Sequence, residues 1–187
     1  DPALADASEL LEQEKSDIEA VAQLRKSGIE ALRKKVGETV SLKKGNGVIK
    51  GKVVADPKPN VVTLDVGGPQ MTLRAEQVHV DDIEQNAPRT GNVGEDLGQR
   101  GLLYFYAGQI AKAKEFFEKS RTAGFQPAEE GAAKMAALQR HVDRIAVLEL
   151  GEVEAGALRA WENAEQLFAA RNFKGAKEAY DAFVKVH

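Results

Sequence analysis

The chain contains no cysteine. That absence excludes disulfide bridges, thiolate metal sites and a cysteine nucleophile, although it does not fix a compartment. Aromatic residues are sparse, with one Trp, three Tyr and seven Phe in 187 residues. A one-sided charge is lacking too. The 26 Lys and Arg against 29 Asp and Glu leave a net charge of −3, without the basic excess usual in nucleic-acid proteins. No apolar run approaches the roughly 20 residues of a membrane-spanning helix. No apolar stretch follows a basic start, as a secretory signal requires. What is present, 43% hydrophobic and 29% charged residues, is the composition of a folded domain rather than a disordered chain. The length allows one or two domains with real cores.

The chain opens on Asp1 rather than Met and closes on Lys185-Val186-His187, directly after an amphipathic pattern. The expectation is a fragment or a processed product, its far end either a truncated array or a natural end just past a last helix. Pro2 to Ala7 reads as an alanine-rich helix start, with a small-residue cleavage site as the alternative.

Residues 1–36 form a first segment. Leu4, Leu11, Ile18 and Leu32, with Val21, Ile29 and Val36 nearby, lie at helical spacing among Glu, Lys, Gln and Ala, which predicts an amphipathic helix. The seven-residue recurrence hints at a short coiled coil, but Arg25 occupies one place of the seam. Packing on a neighbouring domain is the simpler reading. Gly28 marks a potential break.

Residues 37–83 change character. Short runs rich in Val and Thr appear at Val40–Leu42, Val48–Val54, Val61–Val66, Met71–Leu73 and Val78–Val80, and they read as five strands. Turn signals separate them at Lys44-Gly45-Asn46-Gly47, at Asp56 to Asn60 and at Gly67-Gly68-Pro69. Five strands in so short a stretch predict a small bent barrel, curling at Gly51. Six basic and six acidic residues leave the segment neutral. Residues 84–94, with Pro88, Gly91 and Gly94, read as a linker. Residues 95–187 return to helix, with an extra helix over Glu129–Leu150 bounded by Pro127 and Gly151 and striped by Met135, Leu138, Val142, Ile145 and Leu148 or Glu149.

Two resemblances arise at this point. The helix, the bent strand Gly47 to Val54, the run Val62 to Gly68 and the break Ala75-Glu76-Gln77 resemble an SH3-like or Sm-like small barrel. The segment carries no Phe, Tyr or Trp, so the aromatic cluster for proline-rich peptides is missing, and Sm-type RNA-binding loops do not match. Gly101, Tyr104, Gly108, Ala113 and Phe117 resemble a tetratricopeptide repeat, and Ala164, Leu167, Phe173, Ala176 and Tyr180 resemble a second, with Trp161 beside it and Arg171-Asn172 in place of the turn glycine. The two alanine marks are 176 − 113 = 63 residues apart, against about 68 for two ideal repeats, so the array is irregular. The resemblance implies small residues that let antiparallel helices approach, with aromatics beside them.

Chemistry-bearing patterns are few. His79, His141 and His187 show no metal-type spacing. Ser8, Ser16, Ser27, Ser41 and Ser120 lie in no nucleophile elbow. Glu129-Glu130, and Glu152 with Glu154, read as helix-start acids. Lys44-Gly45-Asn46-Gly47 lacks the phosphate-loop frame and reads as a hairpin turn. Gly91-Asn92-Val93-Gly94 reads as a helix cap, with an anion site as the alternative. Lys43, Lys44, Lys50, Lys52 and Lys58 form one basic cluster, either a solvated strand edge or a phosphate-binding patch.

The fold class expected is therefore α+β: an N-terminal helix, a five-stranded SH3-like or Sm-like barrel, and a tetratricopeptide-like helical domain. The expected function is non-catalytic docking of a protein or peptide, with Arg100, Tyr104 and Lys112 on the partner-facing side, no cofactor and no metal. The alternative is nucleic-acid binding by the barrel. The barrel-plus-repeat combination is similar to regions of bacterial multidomain signalling proteins such as eukaryotic-like Ser/Thr protein kinases. That resemblance implies a regulatory region, since no His-Arg-Asp or Asp-Phe-Gly motif occurs.

Overall fold

A computed structural model describes residues 2–45, 47–125, 128–170 and 172–186. Asp1, Asn46, Pro127, Arg171 and His187, used in the sequence readings, lie outside them. The chain is α+β and divides into two compact units, residues 1–139 and 140–187.

Unit 1 opens with helix α1, Pro2–Arg33. The helix continues through Gly28 without a break, because Gly28 serves packing. A Cβ there would lie 3.1 Å from Cγ2 and the carbonyl oxygen of Ile83, so the missing side chain lets a second helix approach. The sevenfold seam does not hold together. Leu11 and Ile18 are exposed while Leu32 is buried, and Arg25 donates to the carbonyls of Ala75 and Val78 at 3.1 and 3.5 Å. From Leu24 onward α1 packs on its own unit.

Four antiparallel strands follow in meander order: β1 Thr39–Lys44, β2 Gly47–Val54, β3 Val61–Asp65 and β4 Gln70–Arg74. The register pairs Val40 with Gly51, Val53 with Leu64 and Val62 with Leu73. One face therefore collects Leu42, Val53, Val62, Leu64 and Leu73, all buried, and Ile29 and Leu32 of α1 join the same core. Gly51 sits on this face, where a Cβ would lie 2.9 Å from the Asp65 carbonyl. On the opposite face the Thr63 hydroxyl, though buried, bonds Asp56 at 2.6 Å and Thr72 at 2.9 Å.

The expected fifth strand is not a strand. Val78-His79-Val80 leaves the Ala75-Glu76-Gln77 turn and enters helix α2, Val80–Asn86. His79 caps the helix, its Nδ1 accepting the Asp81 N–H at 3.2 Å, and Asp81 and Asp82 suit the positive end of the helix. The alternation of Val78 and Val80 reflects burial of both, not a pleat. Among the described residues the sheet has four strands.

Helix α3, Val93–Tyr106, starts inside the predicted linker. Asn92 caps it by accepting the Glu95 N–H at 3.3 Å, which is the cap reading of Gly91 to Gly94. Helix α4, Ile110–Ala123, runs back antiparallel to α3. Gly108 adopts φ +71° in the turn between them, a conformation that disfavours a side chain. A Cβ at Gly101 would lie 2.4 Å from ring atoms of Phe117, so the two helices touch there.

Helix α5, Ala128–Ala169, does not stop at Gly151. A glycine inside a helix costs about 1 kcal/mol, too little to end one flanked by good formers. Glu152 and Glu154 accordingly lie mid-helix rather than at a start. In unit 2 the end of α5 is joined by helix α6, Phe173–Val186. Ala164 and Ala176 are fully buried, and Trp161 meets Tyr180 edge-on at 5.3 Å.

Candidate functional site

The strongest concentration of polar chemistry lies in unit 1, around α2. The buried Asp81 carboxylate accepts from Lys43 Nζ at 2.5 Å, Lys112 Nζ at 2.6 Å and the Tyr104 hydroxyl at 3.0 Å. Burial alone would raise its pKa, but the two ammonium groups and the phenol together hold it well below the usual carboxylate range. Burial and the Asp81 charge push the Tyr104 phenol upward. Asp82 goes the other way: burial raises its pKa despite the Lys43 N–H donated to it at 2.7 Å.

A second knot centres on Arg100, which is completely buried. Its Nε donates to Asp96 at 2.8 Å, one turn earlier on α3. Its Nη1 donates to the Glu84 carbonyl and to Glu84 Oε1, and its Nη2 to the carbonyls of Ala87 and Pro88 and to Asp96 Oδ1. Arg89 adds bonds to Asp96 and Glu84. Burial opposes ionisation of Asp96, yet the two guanidiniums keep its pKa low. Arg100 thereby ties down the stretch between α2 and α3, which is a braced connection rather than a loose spacer.

The Asp81 and Asp96 carboxylates are each matched to two cationic side chains. Asp81 and Asp96 stay charged near neutral pH and serve no proton transfer there. Their chemistry is structural, joining β1, α2, α3 and α4.

The structure thus redistributes the predicted site residues. Arg100 and Tyr104 are 0% and 3% exposed and present nothing to a partner. Lys112 is half-exposed but bound to Asp81, with its Nζ 5.1 Å from the Tyr104 ring centre. The five lysines do not form one patch. Lys43 is drawn to Asp81, Lys50 and Lys52 share one face of β2 with Lys52 opposite Asp65, Lys44 ends β1 on the other face, and Lys58 lies in a loop. Gly101, Ala113, Phe117, Ala164 and Ala176 are buried, Gly108 lies in the turn between α3 and α4, and Tyr180 meets Trp161.

Sequence reasoning missed a feature of α5 within unit 2. Val147, Leu150 and Val153 recur every third residue and are 69%, 60% and 57% exposed, with Leu148 exposed beside them. Exposed apolar side chains so concentrated make this stretch of α5 a candidate surface. From Ile145 to Leu158 the sequence holds Glu149, Glu152 and Glu154 and no Lys or Arg. The signal was readable, but placing a helix end at Gly151 cut the stripe in two.

Among the described residues, no group of three His, Asp or Glu side chains could hold a metal ion, and no helix is long and apolar enough to cross a membrane. Compared with known proteins, the chain matches no family model, no curated protein and no solved structure.

Proposed function

We propose that this chain is a non-catalytic protein-interaction module that docks an amphipathic helix of a partner protein on α5. The observation that carries the reading is the exposed stripe Val147, Leu150 and Val153. An apolar helix face of this kind is covered by a helix presenting apolar residues at i, i+3 or i+4 and i+7. Glu152, exposed on the same stretch, favours Lys or Arg on the border of that partner helix. The contact of Gly101 with Phe117 supports a tetratricopeptide-like reading of the α3–α4 hairpin, and the short meander supports an SH3-like or Sm-like reading of the sheet. Such a module suits a docking region of a larger signalling protein, a kinase among them. The nucleic-acid reading is not adopted, because the lysines are dispersed and partly neutralised.

The test is selection of helical peptides from a displayed library against the full chain. Enriched sequences with an apolar face bordered by Lys or Arg, displaced by Leu150→Asp, are expected. Enrichment of none, or binders indifferent to Leu150→Asp, refutes the reading.

A further inference from the structure

The outer edge of β1 borders a groove, and the backbone beside it points the right way. The Val53 N–H donates to the Glu38 carbonyl at 2.9 Å. With the observed register, this phase places Val40 and Leu42 in the bonded pairs and turns the N–H and C=O of Thr39, Ser41 and Lys43 away from β2. A second observation agrees: the Lys43 N–H donates outward, to Asp82 of α2 at 2.7 Å. The edge is thus closed at Lys43 and open at Thr39 and Ser41. The open part lines a groove of about 330 Å³, whose far wall is Leu32, Lys35, Gln85 and Asn86. Lys35 Nζ and Asn86 Oδ1, 2.8 Å apart, brace that wall. At about 3.3 Å per residue, Thr39 to Leu42 offers roughly 13 Å of edge.

We propose that this groove binds an extended peptide, which adds to the sheet as a further strand beside β1. Thr39 and Ser41 each supply a donor and an acceptor, so main-chain hydrogen bonds carry the affinity. On the far wall Asn86 is already bonded to Lys35 and to the Asp82 carbonyl, and the exposed amide of Gln85 favours polar side chains over apolar ones. The groove is walled by α2 on its far side. The site is separate from the stripe on α5 and does not rest on the helix-docking reading.

The test uses the full chain and a short random-peptide library. Selected peptides are expected to slow amide exchange at Ser41 and to be rich in Ser, Thr and Asn. Ser41→Pro removes the outward N–H without touching the β1–β2 ladder, and is expected to weaken binding about tenfold or more. Should Ser41→Pro unfold the sheet, Gln85→Trp, which fills the slot from an exposed position, decides in its place. N-methylation of the peptide residue facing Ser41 is expected to weaken binding equally in the unaltered protein. Binding unchanged by these alterations overturns the proposal. So does failure to select any peptide that protects Ser41. Concentration-dependent protection of Ser41 with a dimeric mass also overturns it, in favour of self-association.

Discussion

Replacing Gly101 by Ala tests the α3–α4 packing through two opposed effects. Alanine gains about 1 kcal/mol of helix propensity over glycine. Against this, the new Cβ would lie 2.4 Å from both Cδ1 and Cε1 of Phe117, a side chain with no exposed surface. A buried ring flanked by a close helix has little room to move, so the cost falls at the upper end of overpacking, about 3 kcal/mol. The net expectation is a loss of about 2 kcal/mol. Urea unfolding followed by far-UV circular dichroism measures it. Two controls isolate the cause. At Gly151 and Gly156 an added Cβ meets nothing within 4 Å, so alanine there should stabilise by up to about 1 kcal/mol. The pair Gly101→Ala with Phe117→Leu should be less damaging than the sum of its parts by more than about 0.5 kcal/mol. A Gly101→Ala protein as stable as the parent, or strict additivity with Phe117→Leu, refutes the contact.

Other outcomes follow from the buried ions. Arg100→Met removes a buried partner from Asp96 and Glu84, which keep only Arg89 as cation, and from the carbonyls of Glu84, Ala87 and Pro88, and should cost about 3–5 kcal/mol in urea unfolding; Arg100→Lys should recover little of it, lacking the guanidinium fork. Asp81 and Asp96 have folded-state pKa values below the ordinary value near 3.9, so their stabilisation is fully present above that value and lost as pH falls through the folded-state values. Asp81→Asn should therefore flatten the acid limb of a stability–pH profile, and an unchanged limb contradicts the assignment. Asp82 has a raised pKa, so its stability contribution is present below the unfolded value and lost as pH rises through the folded one. Asp82→Asn, which still accepts from the Lys43 N–H, should raise stability at neutral pH.

Much of the architecture was legible because local chemistry and tertiary structure agree there. The runs of Val and Thr, the glycine turns and the heptad-like leucines place α1 and four strands within a few residues of their observed bounds. The Gly101, Ala113 and Phe117 pattern gave the α3–α4 contact because a close helix approach needs small residues opposite a large one. Three misreadings have physical reasons. Val78 and Val80 alternate through burial, and the pair of acids after His79 made a helix start instead. Gly28 and Gly151 were read as punctuation, whereas one permits a helix crossing and the other is merely tolerated. Arg100 and Tyr104 looked like surface chemistry, since sequence shows a polar side chain but not the carboxylates and carbonyls 4 to 23 residues away that bury it. The Asp81 cluster joins residues 31 and 38 positions apart, beyond any local pattern.

The most direct test of the interaction account is the affinity of a selected basic amphipathic helical peptide for the full chain and for Leu150→Asp, with equal unfolding midpoints verified first. Since Leu150 is already 60% exposed, the substitution leaves the fold intact and acts on binding alone. The account predicts a loss of about tenfold or more, equal to about 1.4 kcal/mol, and weaker binding at higher salt as the acidic border is screened. Equal affinity for the two proteins would contradict it.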